Sequence, residues 1–308
     1  MDVLLEAVGA ARIPVVYSKR LIGVKEEDDQ VTISFADGIQ DTADILLGCD
    51  GIHSAVRRLY VDPECMPEYS GIANMYSIVP TVNLPPSASS IRNLNATLTT
   101  DGLFAVSPAT SANDVLYWFF PREVPAPETS DARDGWEQRS KEGVANAITM
   151  MLELLGDADA EWTNLIRDIV RTTDTIRFYP IYKMPKGRPW YKGRCLLMGD
   201  AAHAMPPHAS QGVSMALEDA FLLSKVLQSD LKIYESLELY EQKRKVRTEE
   251  MLRTAERNGT IREKIPLWRL RANELLMKAG LWVYETAKLD KLGLGQRPLV
   301  YDVEKEDI

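Results

Sequence analysis

The residues best suited to chemistry are Gly199-Asp200-Ala201-Ala202-His203, at the end of the short apolar run Cys195–Met198. Pro206-Pro207 come next, and Gln211-Gly212-Val213-Ser214 then open a helical pattern. A buried strand that delivers a carboxylate into a Gly-containing turn, close to a helix N-terminus, makes a particular kind of site. The carboxylate accepts hydrogen bonds from sugar-like hydroxyls, while unpaired N–H groups and the helix dipole favour nearby phosphate. The ligand implied is a polyhydroxylated, phosphorylated cofactor. Two plainer readings stay open. Asp200 can cap a helix in an ordinary loop. It can also join His203 and His208 as metal ligands, although two His five residues apart do not share a helix face as an i, i+4 pair does.

A second candidate lies about 150 residues earlier, in Gly48-Cys49-Asp50-Gly51-Ile52-His53-Ser54-Ala55-Val56-Arg57-Arg58. It succeeds the apolar run Asp44–Cys49, which reads as a strand covered on both faces. The Asp50-Gly51 turn offers backbone N–H groups, Ser54 can cap the next helix, and Arg57 sits one turn in, facing an anion or an acidic partner. The alternative is a strand–turn–helix with a Ser cap and Arg57 on a solvated face. The two apolar runs are expected side by side on one parallel sheet, bringing Asp50 and Asp200 together.

The remaining elements must position these turns. Met1–Ala10 reads as the last turns of an amphipathic helix, with Val3, Leu4, Leu5 and Val8 on one side and no N-cap of its own. Val15–Tyr17 and Leu21–Lys25 are apolar runs; Val31–Phe35 alternates, and Asp37-Gly38 supplies a hairpin turn. From about Met66 to Tyr182 the strand-like runs Ala73–Val79, Leu103–Val106 and Val115–Phe120 are separated by Pro- and Ser-rich turns. Pro121–Gly135 is polar, Trp136–Leu155 has helical spacing, and Thr175–Lys183 is a further strand. This stretch is expected to build its own sheet. Gln211–Leu227 and Tyr234–Arg257 are helical, with one or two helices after them.

With 308 residues, the chain has room for one large domain or two modest ones. A hydrophobic fraction of 45% and a charged fraction of 26% are those of an ordinary globular protein. The net charge of −9, with no basic run against it, excludes general affinity for nucleic acid or anionic lipid. No apolar stretch has the length of a membrane span, and no secretory signal opens the chain. Cys49, Cys65 and Cys195 are widely spaced, which fits a reducing, cytoplasmic setting and no metal site.

Asp50-Gly51 with Ser54 and Arg57, then Gly199–His203 with Pro206, Gln211-Gly212 and Glu218-Asp219, resemble the single-component FAD-dependent aromatic hydroxylases. These are the para-hydroxybenzoate/salicylate hydroxylase-like flavin monooxygenases, here of the type found in fungal secondary metabolism. Leu237, Tyr240, Glu241, Arg244 and Arg247 resemble the family's long helix after the cofactor motif. The resemblance implies that Asp200, flanked by Gly199 and Ala201, binds the ribityl chain of FAD. It implies that the Gly212-Val213-Ser214 backbone meets the isoalloxazine edge and that Pro206 packs beside the ring. Asp50 and Gly51 would serve the flavin and NAD(P)H pyrophosphate region, with Arg57 supporting that turn. NAD(P)H would reduce the flavin, and O₂ would then hydroxylate or epoxidise a small aromatic or polyketide-like substrate.

The fold class so implied is α/β, in a mixed α+β arrangement. Residues 1–65 and 183–260 would form an incomplete Rossmann-like FAD-binding domain, 66–182 a substrate-binding sheet domain, and 261–308 a helical segment. The incompleteness is the main departure. No G-x-G lies near the N-terminus, so the first βαβ unit is missing from the sequence, and Gly293-Leu294-Gly295 is a poor substitute. The 308-residue chain is therefore expected to hold FAD weakly or not at all. Tyr76 stands where the family often has Arg, Ser107-Pro108 where Tyr-Pro is common, and Ser214 where Asn is frequent. These changes leave no catalytic residue assigned. The alternatives are a non-catalytic relative that acts as a binding module and a truncated sequence with an ordinary enzyme behind it.

Overall fold

The computed structural model describes residues 2–27, 29–126, 136, 143–156, 160–292 and 301–308. Three sheets are present among them. The first is an antiparallel meander of β1 (Leu21–Glu27), β2 (Gln30–Phe35) and β3 (Gln40–Ala43). Its second turn is the expected one: Gly38 has φ +84°, and the Asp37 carboxylate accepts a hydrogen bond from Ile39 N at 3.1 Å.

The second sheet carries both motifs. It contains β4 (Leu46–Gly48), β10 (Tyr191–Lys192) and β11 (Cys195–Leu197), in the order β10-β11-β4. Strands β4 and β11 run parallel, with Cys195 opposite Leu46 and Leu197 opposite Gly48. The turns of Asp50 and Asp200 therefore leave the same end of the same sheet. Gly48 is required by close approach, since a Cβ there would lie 2.9 Å from both Leu197 and Val56.

The third sheet is antiparallel, in the order β6-β7-β8-β5-β9. Its strands are β5 (Glu68–Pro80), β6 (Asn95–Thr99), β7 (Gly102–Pro108), β8 (Val115–Glu123) and β9 (Arg177–Lys183). The two-residue period divides it cleanly. Met75, Val79, Leu116, Trp118 and Phe120 are buried against Met151, Ile166, Ile169 and Val170. Those partners come from the helices Val144–Leu155 and Glu161–Arg171. The opposite face shows aromatic rings: Tyr76 lies 5.8 Å from Tyr117, which lies 5.6 Å from Phe119.

In chain order the helices begin with α1 (Asp2–Ala10), α2 (Val144–Leu155), α3 (Glu161–Arg171) and the one-turn α4 (Asp200–His203). Then come α5 (Gly212–Leu227), α6 (Ile233–Gly259) and α7 (Leu267–Thr286). Helices α5 and α6 cover β11, with Leu222, Leu223, Val226, Leu237 and Tyr240 packed on Leu196 and Leu197.

Two local expectations need correction. Helix α1 forms, but none of its residues is buried: Val3, Leu4 and Leu5 are exposed and Val8 is half-buried. Strand β4 is not covered on both faces: Leu47 is 42% exposed and Cys49 is exposed, whereas Cys195–Leu197 is fully enclosed. The physical reason is position. β11 lies between two strands and beneath α5 and α6, while β4 is an edge strand. Of the stretch expected as a helix over Trp136–Leu155, the described part is Trp136 and α2 from Val144. Gly293 and Gly295 lie outside the described residues.

Candidate cofactor site

The strand β11 ends at Leu197, and the chain turns at Gly199 with φ +56°, a left-handed conformation open to glycine at little cost. Helix α4 then begins, with Ala202 N and His203 N both donating to Gly199 O at 2.9 Å. Asp200 is exposed and lines a cavity of about 390 Å³. The same cavity is lined by Pro206, Pro207 and Gly212, the first residue of α5. The cavity is also lined by Tyr179 and Tyr182 of β9 and by His53. The Asp200 turn, the α5 N-terminus and an aromatic wall thus share one space. Val213 is largely exposed at the helix start, and Ala201 is buried behind the turn.

Arg57 is 1% exposed, which excludes both a solvated face and a grip on an external anion. One guanidinium nitrogen donates to Ala201 O at 2.7 Å and the other to Ile52 O, so Arg57 fastens the Asp50 turn to the Asp200 turn. Asp50 is engaged locally: its carboxylate accepts from Ala55 N at 2.6 Å and Val56 N at 3.3 Å. Ser54 Oγ accepts from Arg57 N at 3.0 Å, the cap that the sequence suggested. Gly51, at φ +79°, makes the turn between them.

Sequence reasoning gave no role to the group that holds the Asp200 turn in place. Asp219 on α5 is completely buried. It accepts from Gly199 N at 2.7 Å, meets His203 Nε2 at 2.8 Å, and accepts from Arg244 Nε on α6 at 2.7 Å. Arg244, also fully buried, donates to Glu218 at 2.8 Å, and Arg247 donates to the same carboxylate at 3.1 Å. Burial alone would raise the Asp219 carboxyl. The His203 hydrogen bond and the charges of His203 and Arg244 outweigh it, and the group lies below the usual carboxylate range. A signal was present in the sequence. Asp219 falls in the stripe Met215, Leu222, Leu223, Val226, and Arg244 in the stripe Leu237, Tyr240, Met251. An acid in one apolar stripe and a guanidinium in the next are complementary.

The metal alternative gains no support from the geometry. His203 is turned to Asp219, while His208 packs against Gly259 of α6. Among the described residues no three His, Cys, Asp or Glu side chains are grouped to hold an ion. Burial, reinforced by Arg262, pushes the His208 imidazole down to about 4. In the native state it stays neutral above that value, whereas the unfolded chain protonates near the ordinary value of about 6.5. Between these limits the unfolded state binds more protons, so stability falls as pH drops through the window. Thermal melts between pH 7.5 and 5 should show this loss, and His208→Asn should flatten it. An unchanged slope in the variant would overturn the assignment.

Comparison with known proteins bears on family and fold. The family model described as "FAD binding domain" matches residues 2–255. The 6-hydroxynicotinate 3-monooxygenase of Bordetella bronchiseptica is 28% identical over 249 residues, 80% of this chain and 61% of that protein. The 3-amino-4-hydroxybenzoate 2-monooxygenase of Streptomyces platensis is 30% identical over 244 residues, 79% of this chain and 57% of that protein. The chain thus spans about six-tenths of the length of these relatives. In fold, it resembles a salicylate hydroxylase substrate complex, with TM-score 0.70 and 19% identity over 98% of this chain and 73% of that one. Klebsiella pneumoniae HpxO, complexed with FAD and uric acid, gives TM-score 0.65 and 22% identity over 85% of this chain and 63% of that one. None of the described helices is long and apolar enough to cross a membrane. Through the match over residues 2–255, this chain belongs to the FAD binding domain family.

Proposed function

We propose that this chain forms the flavin- and substrate-facing part of an FAD-dependent monooxygenase that hydroxylates or epoxidises a small aromatic substrate. The observation that carries the reading is the 390 Å³ cavity, which Asp200, the start of α5, Tyr179 and Tyr182 line together. That volume is at the small end for ligand sites, enough for the ring portion of a cofactor but not a whole dinucleotide. The donor set fits that portion. Asp200 offers a carboxylate to ribityl hydroxyls. Gly212, Val213 and Ser214 present the first N–H groups of a 16-residue helix, where its dipole is positive. Pro206 and Pro207 give a stiff, apolar wall. Bound FAD supplies hydride acceptance from NAD(P)H and activation of O₂.

The chain's own part is to orient, exclude water and fix the turn. Asp219 holds the Gly199 N–H and His203, so the backbone beside Asp200 does not have to reorganise when a ligand arrives. Tyr179, Tyr182 and His53 form the side from which an aromatic substrate would be presented. Use of NADH or NADPH, and a place in secondary-metabolite biosynthesis, rest on the motif resemblance. The test is to titrate the purified chain with FAD, then follow NADH and NADPH oxidation with 6-hydroxynicotinate, 3-amino-4-hydroxybenzoate and salicylate. Flavin bound at one per chain, with substrate-stimulated oxidation and a hydroxylated product, supports the reading. Flavin binding without any NAD(P)H oxidation favours a binding module. A folded chain that takes up no flavin even when a Gly-rich βαβ unit is fused ahead of it overturns the reading.

A further inference from the structure

Helix α7 runs for 20 residues, about 30 Å, with Leu270 as its buried residue. Trp268, Leu275 and Trp282 repeat every seven residues and are 71%, 69% and 66% exposed. Ala272, Ala279 and Thr286 interleave with them, also seven apart and also exposed. Together the six positions succeed each other at spacings of four and three, the seam of a paired helix. Exposed aromatic residues aligned in such a seam mark an interaction surface.

We propose that α7 pairs with α7 of a second copy of this chain, antiparallel and with two-fold symmetry. Centred on Met277, that arrangement sets Trp282 opposite Ala272 of the second copy, Leu275 opposite Ala279, and Trp268 opposite Thr286. Every large side chain meets a small one, as close packing of two helices requires. A parallel pair would instead stack Trp on Trp and leave gaps at the Ala levels. The charges choose the same arrangement. Arg271 comes beside Glu285 of the second copy, and symmetry makes this pair twice. Lys278 meets its own counterpart at the axis, an exposed like-charge contact screened by solvent.

The area is sufficient. An aromatic side chain buries about 150–250 Å², so the four Trp give roughly 600–1,000 Å² in total, before the two Leu and the flanking residues are counted. With those included the pair approaches the lower end of specific interfaces, about 1,200 Å², where association is weak and reversible. A membrane surface is a poorer occupant: Arg269, Arg271, Glu274, Lys278 and Glu285 mix both signs, and the net charge of −9 repels anionic lipid.

Sedimentation equilibrium of the 308-residue chain at up to ~100 μM tests the proposal. The expected species has twice the monomer mass of 34.6 kDa. Arg271→Glu and Glu285→Arg should each weaken association at least ~10-fold, and the double variant should restore it. Within one chain Arg271 pairs with Glu274 at 3.3 Å, a contact the double variant does not rebuild, so restoration reports the contact between copies. Circular dichroism checks that each variant keeps its helix content. A chain that stays monomeric, or a dimer indifferent to the single exchanges or not restored by the double one, overturns the proposal. So does a monomer that gains an oligomeric state only on vesicles of zwitterionic or anionic lipid.

Discussion

Replacing Asp219 with Ala is expected to lower stability by about 3–5 kcal/mol, the range for breaking a buried ion pair by removing one partner. For a protein of this size that is roughly a 5–8 °C fall in melting temperature. Most of the loss comes from the groups left behind. Arg244 is completely buried, and without Asp219 its Nε loses its charged acceptor. Gly199 N and His203 lose theirs at the same time. The pair itself is not the source of net stability, because an apolar replacement of both partners would remove the desolvation cost as well. Asp219→Ala combined with Arg244→Leu should therefore cost less than the sum of the two single changes, by about 1–2 kcal/mol. Thermal melts of the four proteins check this. Full additivity, or a loss below ~1 kcal/mol for Asp219→Ala, would refute the account. The sign with pH comes from the lowered native carboxyl. Its contribution is complete above the ordinary carboxylate value of about 4 and is lost as pH falls through the native one.

Asp200→Ala is expected to have the opposite profile. The side chain is exposed at the cavity and takes no part in the network beneath it, so the melting temperature should move by no more than ~0.5 kcal/mol equivalent. Flavin affinity should fall by about one to two orders of magnitude, because a hydrogen bond to a charged acceptor is worth ~1.5–3 kcal/mol. Titration with FAD, monitored by quenching of flavin fluorescence, measures it for the native chain, Asp200→Ala and Asp200→Asn. Asn keeps an acceptor oxygen but not the charge, and should fall between the other two. Unchanged affinity in Asp200→Ala would remove this residue from the site. Asp219→Ala, by contrast, should weaken both folding and flavin binding, which separates the group that meets the ligand from the group that holds the turn.

The sequence by itself determined the local elements that carry a strong period or a special residue. The alternation of Val31–Phe35 with Asp37-Gly38 became a hairpin, and the spacing of Gln211–Leu227 became a helix from Gly212. The runs Leu46–Gly48 and Cys195–Leu197 became adjacent parallel strands, because each is short, apolar and terminated by a turn. Burial and partnership were decided by tertiary structure alone. Val3, Leu4 and Leu5 have the pattern of a core-facing helix and yet stay exposed, since amphipathic spacing states what a helix could cover, not whether a surface lies opposite. Arg57, read locally as facing an anion or solvent, is spent on the carbonyls of Ile52 and Ala201, the second of them 144 residues away, and so supports the turn as the family resemblance implied. The same holds for Asp219. Its partners Gly199, His203 and Arg244 lie 16 to 25 residues off, beyond any local propensity. A charge in an apolar helical stripe signals that some partner must exist, because burying it alone is prohibitively costly. Which partner it finds is fixed only when α5 and α6 pack over β11.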